Sequence, residues 1–292
     1  MDSKNRYNAG LYQFPKRIIQ FFIILFLIIL LGLPALHLYF QYRTRSQIKI
    51  TSSTGIDTLI AVKFDGFNNW LKIRSWNRNN PIILFIHGGP GAPLFPNIRE
   101  IGHSTGLEKN FVVVYWEQPG TGKSFNKNIP DSIMTIEKFV SYTIKLSQYL
   151  KAKFPNDKLY LMARSWGSLI GILTVKKNPD LFNGYIGIDQ LVYALKNDSI
   201  SYQYTLELAR KYNNQEALEE LRKIGYPPYS SRQVIIQRRW LTKFYRQFMG
   251  DEFNIERQNQ FIKLLSTPEY SIVDIIRMGQ EPFFSIEHLW NG

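Results

Sequence analysis

Hydrophobic and polar positions divide the chain into three regimes. Residues 1–17 are polar, and residues 18–40 are then almost wholly apolar, beginning Ile18-Ile19-Gln20-Phe21-Phe22-Ile23-Ile24-Leu25. A helix of about 20 apolar residues crosses a hydrocarbon core, so a transmembrane anchor is expected over 18–40. The run is long for a signal peptide, and Leu33-Pro34-Ala35-Leu36-His37 contains no small-x-small cleavage site, so the anchor is expected to stay on the protein. Lys4, Arg6, Lys16 and Arg17 before the span narrowly outnumber Arg43, Arg45 and Lys49 after it, which favours an extracytoplasmic main domain. Residues 41–56 read as a polar connector.

From 57 to 192 the pattern is that of strands alternating with helices. Leu59–Phe64 and Trp70–Trp76 alternate apolar with polar around Asp65-Gly66, the mark of a hairpin. Pro81–Ile86 and Phe111–Trp116 are continuous apolar runs, as in strands covered on both faces. Thr135 to Phe154 has helical spacing, with Thr135 as N-cap. Leu159–Ala163 is a further buried strand, Leu169–Leu173 a buried helix, and Tyr185–Asp189 the next strand. Such alternation indicates an α/β core with a mostly parallel sheet and a leading antiparallel hairpin. In such sheets chemistry gathers at the carboxyl ends of the strands. From 193 the spacing becomes that of polar, aromatic-rich helices, at 199–212, 214–224, 231–249 and 253–266, expected to form a helical cap over 193–292.

Composition changes this picture little. The chain has no cysteine, so thiol and disulfide chemistry are excluded. Its net charge of +13 is spread among helices, as in Arg222-Lys223 and Arg238-Arg239. No dense basic run interleaved with aromatics points to nucleic acid. A solvated basic surface, or attraction to an anionic membrane, accounts for the charge.

The chemistry centres on Ala163-Arg164-Ser165-Trp166-Gly167. A strand, a sharp turn carrying serine and then a helix form a nucleophile elbow, here with alanine at the first glycine of G-x-S-x-G. The turn lifts the Ser165 hydroxyl clear and aims the next amide, that of Trp166, at a developing oxyanion. Upstream, His87-Gly88-Gly89-Pro90-Gly91 follows a buried strand, and glycines there let backbone approach a substrate closely. Gly120-Thr121-Gly122-Lys123-Ser124 lacks the first glycine of a phosphate-binding loop, so Gly120 and Gly122 read as turn residues. No metal or cofactor is called for.

The pairing of His87-Gly88-Gly89-Pro90-Gly91 with Ser165-Trp166-Gly167-Ser168 resembles the proline iminopeptidase branch of the α/β-hydrolase fold, over roughly residues 55–195. The resemblance implies a serine hydrolase releasing N-terminal residues from small peptides, with Ser165 as nucleophile and the amides of Gly89 and Trp166 as oxyanion donors. Glu117-Gln118-Pro119-Gly120 departs from the branch's usual Asp-Gln-Arg-Gly, which bears on the contacts bracing the site. His87 is read as a structural brace. Glu207, Glu216, Glu219 and Glu220 are candidate partners for a substrate amine.

A serine nucleophile needs a base and an orienting acid, which in this fold follow the elbow in the order acid, then histidine. His288 is the one histidine after Ser165, in a stretch that resembles a cap segment. Tyr270–Ile276 is the nearest candidate strand carrying an acid, Asp274, and reads equally as helix. The expectation is a chain whose sheet is incomplete at its C-terminus, lacking the strands that carry acid and base. Two alternatives remain: a binding module on the same fold without catalysis, and an esterase or thioesterase acting on acyl substrates, which would require an apolar tunnel under the cap.

Overall fold

The computed structural model describes residues 16–290 except 157 and 280. The tail expected over 1–17, with Lys4 and Arg6, thus lies outside the described residues up to residue 15. Helix α1 (Lys16–Gln47) has 32 residues, about 48 Å at 1.5 Å per residue. Its apolar stretch buries nothing against the rest of the molecule, and Phe21, Phe26 and Leu31 are exposed. The helix does not stop where the polar connector was expected at 41 but continues through Gln47. Its last turns bind the folded domain: His37 Nδ1 lies 2.7 Å from the Leu265 carbonyl, and Gln41 Nε2 donates to the carbonyls of Thr267 (2.9 Å) and Tyr270 (2.6 Å). These contacts reward helical backbone in a segment whose composition alone suggested a linker.

The sheet has six strands: β1 (Ile56–Phe64), β2 (Phe67–Ser75), β3 (Ile82–Ile86), β4 (Val112–Glu117), β5 (Leu159–Arg164) and β6 (Gly184–Ile188). Their spatial order is β1-β2-β4-β3-β5-β6. The hairpin β1–β2 turns on Asp65 and Gly66, both at positive φ (47° and 85°), as a tight two-residue turn requires. β2 runs antiparallel to β4, and β4, β3, β5 and β6 are mutually parallel. Every residue of β3 and β4 is buried. One face carries Leu84, Ile86, Val114 and Trp116 against Phe139, Leu146 and Leu150 of α3 (Ile136–Lys153) and Ile170 of α4 (Trp166–Lys177). Thr135 caps α3 as expected, its hydroxyl accepting from the Lys138 amide at 3.2 Å. The short α2 (Leu107–Asn110) precedes β4 and contributes Glu108 to a buried pair with Arg74.

The helical half divides in two. Helices α5 (Ala194–Lys211), α6 (Gln215–Ile224) and α7 (Ser231–Met249) enclose their own core of Tyr202, Leu206, Leu221, Trp240 and Phe244. Helices α8 (Asp251–Ser266), α9 (Ile272–Met278) and α10 (Glu281–Leu289) return to the sheet. Leu289 joins the core beneath α3, while Tyr270 and Met278 pack with Phe85, Val113 and Tyr115 on the opposite face. The candidate strand Tyr270–Ile276 is instead a helix from Ile272 onward. Ser271 and Asp274 form a capping box, with Ser271 Oγ accepting from the Asp274 amide (3.2 Å) and Asp274 Oδ2 accepting from the Ser271 amide (2.9 Å). Strand β6 is the far edge of the sheet, and among the described residues no strand pairs with its outer side.

Candidate active site

Strand β5 runs into Ser165, which sits at φ 51°, ψ −127°, a left-handed conformation for a residue with a side chain. The surroundings enforce it. The Ser165 amide donates to the Ile188 carbonyl at 2.9 Å, and the Ser165 carbonyl accepts from the Ser168 amide (2.8 Å) and hydroxyl (2.6 Å). Small residues make room. A Cβ on Gly167 would stand 2.2 Å from the His87 carbonyl oxygen, and one on Gly88 would stand 2.9 Å from Ser165 Cβ. Ala163 takes the place of the first motif glycine because Gly171 lies opposite it; a Cβ on Gly171 would be 2.8 Å from Ala163 Cβ. Ser165 is exposed, and Trp166 opens α4, where amides have no partner in the helix itself.

The loop after β3 lies beside the elbow, with Gly89 and Gly91 at φ 125° and 83°. His87 holds it. Its Nε2 accepts from the Gln118 amide at 3.2 Å, so Nδ1 carries the hydrogen and donates to the Gly88 carbonyl at 2.8 Å. Burial lowers the His87 imidazole to about 4, so the ring is neutral near pH 7 with both nitrogens engaged. It braces the loop, as expected, and has no free nitrogen to act as a base.

Glu117 is completely buried at the end of β4. Its carboxylate accepts from the amides of Leu94 and Phe95 (both 3.3 Å), from the Lys123 amide (2.6 Å) and from the Tyr270 hydroxyl. Burial outweighs these donors and raises its pKa to about 7. The longer acid at this position reaches loops that precede and follow it. Gly122 yields the space, since a Cβ there would sit 2.3 Å from Glu117 Oε2. Gly120 and Gly122 are turn residues with φ of 79° and 51°. Lys123 lies over the Trp70 ring and pairs with Asp274 at 2.8 Å, so both it and the acid of α9 are occupied structurally.

Gly89, Ser165 and Trp166 line a single cavity of about 430 Å³ together with Asn197, Arg238 and Trp290. Arg238 is the charged side chain in that lining. It donates to Asp198 (2.8 Å) and to Ser201 Oγ (2.6 Å) and stands 6.0 Å from the Trp290 ring centre. Burial pushes the Asp198 carboxyl up against the pull of Arg238. Neither residue stood out in the sequence, where Arg238-Arg239 read as surface charge. The four candidate glutamates are corrected: none lines this cavity. Glu207, Glu216 and Glu219 are exposed on helix surfaces, and Glu220 pairs with Arg239 and accepts from the Trp240 indole at 2.6 Å. Helix periodicity put them on the solvent face.

Among the described residues no side chain hydrogen-bonds Ser165 Oγ. His288 Nδ1 lies 2.6 Å from the Phe284 carbonyl and its Nε2 3.1 Å from Asp131, at the periphery of α10. His37 belongs to α1.

No family model matches the chain. The probable aminopeptidase YbaC of Bacillus subtilis is 31% identical over 220 residues, covering 70% of this chain and 69% of that protein. A proline iminopeptidase of Lactobacillus helveticus is 26% identical over 115 residues, 38% of this chain and 35% of that protein. Among solved structures, a proline iminopeptidase-related protein from Thermus thermophilus aligns with a TM-score of 0.44 at 20% identity, over 57% of this chain and 56% of that one. The extent of the Bacillus match, on a mostly parallel sheet with a serine elbow after β5, places the chain in the aminopeptidase and proline iminopeptidase family of α/β-hydrolase-fold proteins.

Proposed function

We propose that the protein is a membrane-anchored serine hydrolase of the aminopeptidase type, acting on a small peptide or acyl substrate. The observation that carries this reading is the exposed, strained Ser165 sharing one cavity with Gly89 and Trp166. In this reading Ser165 Oγ attacks the acyl carbon, and the amides of Trp166 and Gly89 hold the oxyanion. One such donor is worth roughly 3–4 kcal/mol of transition-state stabilisation. Helix α1 holds the domain against the bilayer, with the domain on the extracytoplasmic side.

The proton leaving Ser165 needs an acceptor. His87 is neutral and occupied, and His288 is engaged elsewhere. The open edge of β6 supports a specific source. A strand added there in parallel would end level with Ile188, whose carbonyl fastens the Ser165 amide, and the loop after it would emerge beside the nucleophile. In our reading the base and acid are supplied there by chain beyond Gly292.

A fluorophosphonate probe tests this directly, because its rate reports activation of the serine. The 292-residue chain should label about 10⁴-fold or more slower than an intact triad enzyme. A chain extended by the downstream reading frame should label rapidly at Ser165, and Ser165→Ala should abolish labelling. Slow labelling of the extended chain, or labelling at another residue, would refute the proposal.

A further inference from the structure

A second cavity adjoins the first. It occupies about 610 Å³ between the loop after β3 and helices α8 and α9, within the range of small-molecule sites. Pro93, Pro96, Phe261, Leu264, Ile275 and Met278 form its walls, and no charged side chain lines it. Gly89 and Ile286 line both this crevice and the cavity of Ser165, so the two meet at the oxyanion loop.

Helix α8 is the partition between the crevice and the anchor. One of its sides, at Phe261 and Leu264, faces the crevice; another, at Ile262 and Lys263, faces a groove shared with Thr44 and Ile48. Its C-terminal end is held by His37 and Gln41 of α1, one inside and one just past the C-terminal end of the expected span. The crevice therefore opens about one helix diameter, roughly 10 Å, from the anchor. Large apolar side chains are exposed on the helices that wall it: Phe261 of α8 is 60% exposed, and Val273 and Ile276 of α9 are 54% and 68% exposed. Cations flank the junction. Arg45 donates to the Pro268 carbonyl and Arg99 to the Gln47 side chain, and neither forms an ion pair among the described residues. An apolar slot, an apolar rim and neighbouring cations beside a membrane helix match one occupant, an acyl chain of an anionic membrane phospholipid.

We infer that the crevice between the oxyanion loop and α8–α9 is a binding site for a single acyl chain of an anionic membrane phospholipid, with the carbonyl end of that chain at Gly89. This rests on the proposed anchor and deepens the proposed hydrolase by assigning it acylated substrates drawn from the bilayer. The polar head end then faces Arg238 and Asn197, the polar groups of the serine cavity.

The test uses the full chain in nanodiscs of phosphatidylcholine and phosphatidylglycerol, with a phosphatidylglycerol carrying a photoactivatable diazirine in its acyl chain. Cross-linked peptides are mapped by mass spectrometry, and adducts on α1 serve as the control for insertion. The expected result is saturable labelling on 260–264 and 275–278, competed by unlabelled lipid and undiminished in Ser165→Ala. Phe261→Arg, an exposed position that does not burden folding, should cut this labelling about tenfold or more by placing a charge at the mouth. Ala92→Trp, from the opposite rim, should do the same. Labelling confined to α1, or unchanged in both variants, would overturn the inference. Crevice labelling without fluorophosphonate reactivity in the extended chain would instead leave the lipid site standing and remove the hydrolase reading.

Discussion

The Ser165 amide donates to the Ile188 carbonyl at 2.9 Å, so the elbow is fastened to the edge strand β6 as well as to its own helix. The strained serine is held from two sides, and substitutions there separate strain from chemistry. Ser165→Gly should relieve a left-handed conformation that costs about 1 kcal/mol and raise the unfolding midpoint by roughly 2–4 °C, while removing the proposed nucleophile. Gly167→Ala should do the reverse, because its Cβ would meet the His87 carbonyl at 2.2 Å. Overpacking of that kind costs about 1–3 kcal/mol. Thermal unfolding followed by circular dichroism distinguishes the two; a neutral Gly167→Ala would show that the elbow and the loop are not in contact.

Two buried groups near the elbow oppose each other in pH dependence. Glu117 has its pKa raised to about 7 from 4.5 by burial, so its stabilising protonated form is fully present below about 4.5 and stability is lost as pH rises through 7. His87 is lowered from 6.5 to about 4, so its contribution is present above 6.5 and lost as pH falls through 4. Between about pH 4.5 and 6.5 the slopes have opposite sign, and each is at most about 1.4 kcal/mol per pH unit. Wild-type stability should therefore vary little across that window. Glu117→Gln should expose the histidine slope, with stability falling toward acid, and His87→Asn the reverse. Denaturant melts at several pH values check both; parallel curves for the two variants would refute the assignment.

Gln41 supplies a polar latch between α1 and the domain. It satisfies two buried carbonyls, those of Thr267 and Tyr270. Gln41→Leu leaves both without that donor, a cost of about 1–3 kcal/mol for each group. The expected readout is faster proteolysis between α1 and β1, with the sheet core still protected.

A buried pair under the hairpin should be equally sensitive. Arg74 Nε and the Tyr115 hydroxyl both donate to Glu108 Oε1 at 2.9 Å, and Arg74 and Glu108 side chains are each 1% exposed. Glu108→Ala should cost about 3–5 kcal/mol, because it strands a buried guanidinium with only Asp57 as a charged partner. Urea unfolding measures this directly, and a loss below 1 kcal/mol would mean water reaches Arg74.

What could be read from sequence followed local periodicity. The turn at Asp65-Gly66, the buried runs of β3 and β4, the Thr135 cap and the elbow all depend on neighbours a few residues apart. The contacts that were illegible join distant segments. Tyr270 reaches Glu117 across 153 positions, and Lys123 reaches Asp274 across 151. No pattern within α9 announces that it returns to the sheet, since Val273 and Ile276 are exposed while Asp274 is buried. Arg238 was hidden for the converse reason: a cation on an amphipathic helix looks the same facing water or facing a cavity. The glutamates failed by the same rule, having the right chemistry on the wrong face.

The edge strand β6, Gly184-Tyr185-Ile186-Gly187-Ile188, contains no charge and no proline. Such an edge lacks the features by which sheets deter pairing with other copies. The 292-residue chain, in which no described strand covers that edge, should therefore self-associate through β6 as its concentration rises. Its sedimentation coefficient would then rise with concentration. Ile186→Lys, at a position 41% exposed, would act as a gatekeeper and hold the sedimentation coefficient constant.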